Sequence, residues 1–260
     1  MSDEILKLSK FKLSVFDKVL IDNTNDKSDD FIVNSGDLVL LCGANGSGKT
    51  TLMKKIIGTS DTKIRRKFNI SFKKNREIKY DGVSMNEGKP FFDGNPIMNG
   101  ILDEIGFAPN DSDLKLVVDE SIKVIDYINA YLNGVIDKKE IDRIFSRFYG
   151  HDAKKIMKKK ISKCSSGEQK KLSIIAALLR KEKKLYIFDE PMNCLDTRSM
   201  IIFMEEIKKI MEEQQSSGVV IITHCLTFDN PSKVYKIVNC ELVDDTVNYK
   251  KRDCLDYLLK

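Results

Sequence analysis

An α/β fold with a parallel sheet at its centre is predicted by three features of the sequence. The runs at residues 38–42 (LVLLC), 185–188 (LYIF) and 219–222 (VVII) are apolar without alternation, as in strands buried on both faces. Segments with helical spacing of apolar residues lie between them. Polar residues suited to phosphate chemistry stand directly after each run, where open α/β sheets bind their ligands.

In chain order, residues 1–10 (MSDEILKLSK) are charged and alternating, which predicts a first strand and not the apolar stretch of a signal peptide. Short strands are expected up to about Lys89, around a glycine-rich loop at residues 43–51 (GANGSGKTT). That loop fits G-x-x-x-x-G-K-[ST], with Gly43, Gly48, Lys49 and Thr50 in the fixed places. Glycines let such a loop bend and bring backbone N–H groups to phosphate oxygens, so Gly43, Ala44, Asn45, Gly46, Ser47, Gly48, Lys49, Thr50 and Thr51 form a candidate phosphate cradle. Lys49 would place its charge near the β- and γ-phosphates, and the Thr50 hydroxyl would ligate Mg²⁺. Residues 50–57 read as a helix ending at Gly58, its N-terminus adding partial positive charge.

The turn-rich NPIMNG at 95–100 leads to a helical insert at about 112–163. Within it Ile141, Ile144, Phe145 and Phe148 recur at i, i+3, i+4, i+7 and make one apolar face. Leu172, Ile175, Ala176 and Leu179 do the same in the next helix. The strand at 185–188 ends in Asp189 and Glu190, candidates to hold Mg²⁺ and to polarise an attacking water. Asp196 is a candidate N-cap for a helix whose apolar stripe is Met200, Phe203, Met204, Ile207, Ile210 and Met211. His224 follows the run at 219–222, and the alternation from Val234 predicts an antiparallel edge strand or hairpin.

CSSGEQ at 164–169 lies just upstream of LYIFDEP, and MNCLD and ITH follow. With GANGSGKTT, and in this order, these segments resemble the ATP-binding-cassette (ABC) ATPase family over nearly the whole chain. The resemblance implies a P-loop NTPase (RecA-like) core with an antiparallel β-subdomain and a helical subdomain. It also implies a single domain over 1–260, with ATP and Mg²⁺ as cofactors. Ser165 and Gly167 match the family signature's serine and second glycine, while Cys164 and Ser166 replace its leucine and first glycine. Ser165, Ser166, Gly167 and Glu168 would complete the ATP site of an opposite chain, and Asp196 would join the nucleotide-contacting set. Glu190, His224 and Lys49 are the implied catalytic groups, with His224 sensing the γ-phosphate. Thr50, Asp189 and Asn110 are the implied metal set. Asn110 stands where the family has a glutamine and is one methylene shorter; Phe16 would stack on adenine.

With one phosphate loop in the chain, the resemblance implies two chains closing head to tail over two ATP molecules, as a homodimer or a heterodimer. The resemblance implies integral membrane transporter subunits as partners and a place on the cytoplasmic face through them. Val117, Val118 and Ile122 would belong to the docking groove. A soluble single-cassette member acting in an assembly process, such as iron–sulfur assembly, is the alternative. No apolar run approaches the ~18–20 residues of a membrane span. The net charge of +5 comes from 44 basic and 39 acidic residues, a mixed surface. Lys154, Lys155, Lys158, Lys159, Lys160 and Lys163 cluster, but no aromatics interleave as stacking platforms would require, so no nucleic acid is expected. Six cysteines without C-x-x-C spacing argue against a metal site and fit a reducing compartment.

Overall fold

The computed structural model describes residues 3–15, 18–25, 28–57, 83–86, 91–92, 95–96, 105–110, 122–132, 137–224 and 228–250. Five strands open the chain: β1 (Glu4–Leu8), β2 (Lys12–Val15), β3 (Lys18–Asp22), β4 (Phe31–Asn34) and β5 (Leu38–Gly43). Helix α1 (Lys49–Ile57) and strands β6 (Val83–Asn86), β7 (Phe91–Phe92), β8 (Asn95–Pro96) and β9 (Ile105–Ala108) follow. A helical stretch comes next, with α2 (Val124–Tyr131), α3 (Lys138–Tyr149), α4 (Ala153–Lys158) and α5 (Ser166–Leu179). Strand β10 (Leu185–Asp189), helix α6 (Thr197–Glu213) and strands β11 (Gly218–Ile222), β12 (Lys233–Val238) and β13 (Glu241–Asp244) complete it.

The central sheet has the order β13-β12-β5-β11-β10-β9. All its pairings are parallel except β12 with β13. Two antiparallel sheets, β4-β1-β7-β8 and β3-β2-β6, form the predicted β-subdomain. The parallel strands are apolar without alternation because both faces are covered. Leu40, Tyr186, Phe188, Val219 and Ile221 pack into a core with the helices α2 to α6. Their neighbours Val39, Leu41, Leu185, Ile187, Val220 and Ile222 pack into a second core with α1 and the antiparallel sheets. The period-2 geometry of a strand sends alternate side chains to the two layers.

The tail forms the antiparallel hairpin expected from its alternation, β12 with β13. β12 also pairs in parallel with β5, which joins the hairpin to the central sheet and leaves β13 as its antiparallel edge. Alternating buried residues look the same in either pairing, because alternation reports burial and not strand direction.

Helix ends are set locally. Asp137 caps α3 through Lys139 N and Glu140 N, and Asp196 caps α6 through Ser199 N as predicted. At α5, Ser165 and Glu168 form a reciprocal capping box, which satisfies two otherwise orphan donors. α6 docks on β10 through Phe203, whose ring meets Phe188 edge to face at 5.0 Å. That geometry contributes about 0.5–1.5 kcal/mol beyond area burial. An ion network ties α3 to α6: Arg143 donates to the buried Glu206 at 2.8 and 2.9 Å and to Glu140 at 2.9 Å, and Arg147 also reaches Glu206. The methionine stripe of α6 packs partly buried against the core. Of the lysine cluster, Lys159 pairs with Glu168 at 2.7 Å, while Lys154, Lys155, Lys158, Lys160 and Lys163 are exposed. Gly58 and residues 112–121, with Val117 and Val118, lie outside the described residues.

Candidate nucleotide site

Parallel register brings four strand ends to one edge of the sheet. Leu41 is opposite Ile222, Ile222 opposite Asp189, and Phe188 opposite Ala108. The residues just beyond those ends, far apart in sequence, therefore meet. Asn45, Gly46, Gly48, Lys49, Thr50, Thr51, Asn110, Glu190, Asn193 and His224 line one cleft of about 600 Å³.

The loop between β5 and α1 is built on backbone that favours glycine, with Gly46 at φ +77° and Gly48 at φ +102°. At Gly48 a Cβ would also approach Leu20 to 3.1 Å, so the loop is held against β3. α1 begins at Lys49, and Lys49, Thr50 and Thr51 of its first turn line the cleft; the start of a helix leaves N–H groups without intrahelical partners. Lys49 is buried, and its ammonium donates to the carbonyls of Gly43 (2.9 Å) and Ala44 (3.0 Å). Burial lowers its pKa, while the nearby carboxylates of Glu190 and Asp189 oppose that shift.

Thr50 Oγ1 lies 3.1 Å from Asp189 Oδ1, and Asp189 is 1% exposed. One hydroxyl and one carboxylate make a hard oxygen pair that fits Mg²⁺, an ion that keeps waters and phosphate oxygens as its other ligands. Among the described residues there is no cluster of three or more His, Cys, Asp or Glu suited to a metal.

Glu190 follows at once, with its backbone in the left-handed region (φ +48°). His224 Nε2 lies 2.8 Å from Glu190 Oε1. Burial is the main cause that raises the Glu190 carboxyl, and burial also lowers the His224 imidazole. Burial thus favours a neutral pair over an ion pair. The ammonium of Lys49 pulls Glu190 back toward the carboxylate and pushes His224 further down. A carboxylate next to a neutral imidazole can accept a proton from water.

Of the residues expected from sequence, Lys49, Thr50, Asp189, Glu190, His224 and Asn110 come together with the loop. Ser165, Ser166, Gly167, Glu168 and Asp196 do not line this cleft. Ser165 and Ser166 are exposed at the start of α5. Glu168 is used in the capping box and the pair with Lys159. Asp196 caps α6 and meets Lys171 Nζ at 2.6 Å; hydrogen bonding to Lys171 is the main cause that holds its carboxyl down to about 2. Phe16 lies outside the described residues, and Phe11, the nearest other aromatic in sequence, is fully buried. Asn193 was not anticipated. It sits three residues after Glu190 in the turn that leads to α6, and no spacing rule marks it.

Known proteins similar to this chain include ATP-binding proteins of ABC transporters. The family model described as ABC transporter matches residues 27–193. An uncharacterized ABC transporter ATP-binding protein of Bacillus subtilis, YhaQ, is 27% identical over 184 residues, covering 70% of this chain. The chain spans about half (51%) of that relative's length. The lipoprotein-releasing system ATP-binding protein LolD 2 of Chlorobaculum tepidum is 29% identical over 75% of this chain and 73% of its own length. A solved ATP-binding subunit of an ABC transporter superposes with a TM-score of 0.70 at 18% identity, covering 98% of both chains.

Proposed function

Since the chain belongs to the ABC transporter family, we propose that it binds ATP, hydrolyses it to ADP and phosphate, and thereby drives transport through integral membrane subunits. The observation that carries this reading is the convergence of Lys49, Thr50, Asn110, Glu190 and His224 on one cleft, with Asp189 beside Thr50. A relative from Mannheimia succiniciproducens is named a macrolide export ATP-binding/permease protein, and this chain spans 30% of it. That name and the lipoprotein-releasing relative support a transport role coupled to a membrane partner, and we place the chain on the cytoplasmic face through that partner. Among the described residues no helix is long and apolar enough to cross a membrane.

The chemistry follows from the geometry. Backbone N–H groups of residues 45–51 and the start of α1 receive the phosphates, and Lys49 adds a positive charge. Thr50 and Asp189 would hold Mg²⁺, which supplies charge neutralisation at the β- and γ-phosphates. Glu190 orients a water against the γ-phosphorus and takes its proton as the new P–O bond forms and the bond to ADP breaks. His224 fixes the Glu190 carboxyl from the next strand. Ser165 and Ser166, at the N-terminus of α5, are exposed and do not line this cleft. They would meet the γ-phosphate bound by a second chain, so that ATP closes a head-to-tail dimer and hydrolysis reopens it.

Lys49→Ala tests the nucleotide assignment. It should weaken binding of a fluorescent ATP analogue by about 10- to 100-fold, the effect of one charged hydrogen-bond partner. Equal binding by the variant and the natural chain would contradict the placement of phosphate at this loop.

A further inference from the structure

Lys170 lies in α5, the helix whose first turn carries Ser165 and Ser166, and it is 1% exposed. A lysine is rarely so buried. Its ammonium donates to the carbonyl of Asp189 at 2.9 Å and to the carbonyl of Pro109 at 3.2 Å. These carbonyls belong to two particular peptide units. One joins Asp189 to Glu190, and the other joins Pro109 to Asn110.

The first unit is held from both sides. Its carbonyl accepts from Lys170, and its N–H, on Glu190, donates to Ile222 O at 2.9 Å. The plane of that peptide sets φ of Glu190, which is +48°. For a residue with a Cβ that conformation is strained, and it persists only where the surroundings determine it. Rotation of the plane would relieve the strain but break both of these hydrogen bonds, and with them the backbone conformation from which Glu190 reaches His224. The second unit leads into Asn110, which lines the same cleft from the end of β9.

The geometry points to Lys170 as a positioning residue for hydrolysis: it clamps the two peptides that present Glu190 and Asn110, and ties both to α5. The helix makes two further contacts with the chain beyond Glu190. A Cβ at Gly167 would lie 2.9 Å from Cys194 O, and Lys171 Nζ meets Asp196 at 2.6 Å. The turn that carries Asn193 is therefore pinned to α5 as well. This inference rests on the ATPase reading above and deepens it. A shift of α5, whose exposed N-terminus would engage the nucleotide of a second chain, is passed through Lys170 to this chain's own Glu190. Occupancy of one site would thus set the readiness of the other.

The test uses the whole chain with ATP and Mg²⁺. Lys170→Met keeps the length and packing of the side chain and removes the donor. It should lower kcat by about 10²-fold, comparable to loss of a positioned base, with KM for ATP within about threefold. Lys170→Arg keeps a donor and should recover kcat to within about tenfold of the natural chain. Combined with Glu190→Gln, Lys170→Met should add less than about threefold, since both changes act on one group. A merely structural lysine would lower kcat and raise KM together, and its loss would multiply that of Glu190→Gln; either result overturns the proposal. So does a kcat for Lys170→Met within about threefold of the natural chain. Should Lys170→Met not fold, Lys170→Leu, which also lacks a donor, carries the same comparison. A natural chain that hydrolyses no ATP would overturn the ATPase reading and this proposal together. A hydrolysing chain that loses activity with Glu190→Gln but tolerates Lys170→Met overturns the proposal alone.

Discussion

Replacement of Glu190 by glutamine is expected to lower ATP turnover by roughly 10²-fold or more, the share that a positioned base contributes. Nucleotide affinity should stay within a few-fold of the natural chain. The amide has the carboxyl's shape, so the contact to His224, now 2.8 Å, can be kept. What is lost is the ability to take the proton from water. Lys49, Thr50 and the loop N–H groups, which hold the phosphates in this account, are untouched. The expected pair of results is slow phosphate release with near-normal binding of a fluorescent ATP analogue, and an ATP-bound dimer visible by size-exclusion chromatography. Turnover near that of the natural chain would remove Glu190 from the role assigned to it.

The second large effect is on stability. Gly106 sits in β9 beneath the ring of Tyr186, and a Cβ there would lie 2.4 Å from Cδ1 of that ring and 2.9 Å from Ala177 O. The ring cannot step aside. It is fully buried, and its hydroxyl donates to Arg180 O at 2.8 Å. Gly106→Ala must therefore separate β9 from β10 or push α5 outward, an overpacking cost of about 2–3 kcal/mol. For a chain of this size the melting temperature should fall by roughly 4–12 °C. An unchanged melting curve would mean that the strand has more room than the packing indicates. Because Asn110 follows β9 directly, the same shift should disturb the cleft.

The site was largely legible from sequence where its signals are local. The spacing of Gly43, Gly48, Lys49 and Thr50 is fixed by the backbone of a single loop. Asp189, Glu190 and His224 follow apolar runs whose lack of alternation already marks strands buried on both faces. Lys170 and Asn193 were illegible for the opposite reason. In EQKKL a lysine reads as a solvated charge, and only the packing of α5 against β9 and β10 places it beneath two strand ends. The same packing explains a wider discrepancy in α5. Periodicity predicted one apolar face, through Leu172, Ile175, Ala176 and Leu179, yet Ser173, Ile174, Ala177 and Leu178 are buried too. A helix enclosed by a sheet and by other helices needs no polar face, so periodicity understates its burial. The role of Asp196 in capping α6 was foreseeable, because caps depend on residues three positions apart. Its tie to Lys171 on α5 depends on tertiary structure and was not.

The central claim is that a working site is assembled from the loop of one chain and the start of α5 of another. Subunit mixing tests it most directly. Chains carrying Lys49→Ala have a damaged loop and an intact α5 N-terminus. Chains carrying Ser166→Arg have the reverse, with a bulky cation at an exposed position that leaves the capping box in place. Each variant alone should turn over ATP slowly, because every site in its dimer has one defect. In a mixed head-to-tail dimer one site collects both defects and the other collects none. An equimolar mixture should therefore recover activity well above either variant, up to about a quarter of the natural level, the share of intact sites under random pairing in a two-fold dimer. A mixture no more active than the sum of the two variants measured separately would contradict the shared site.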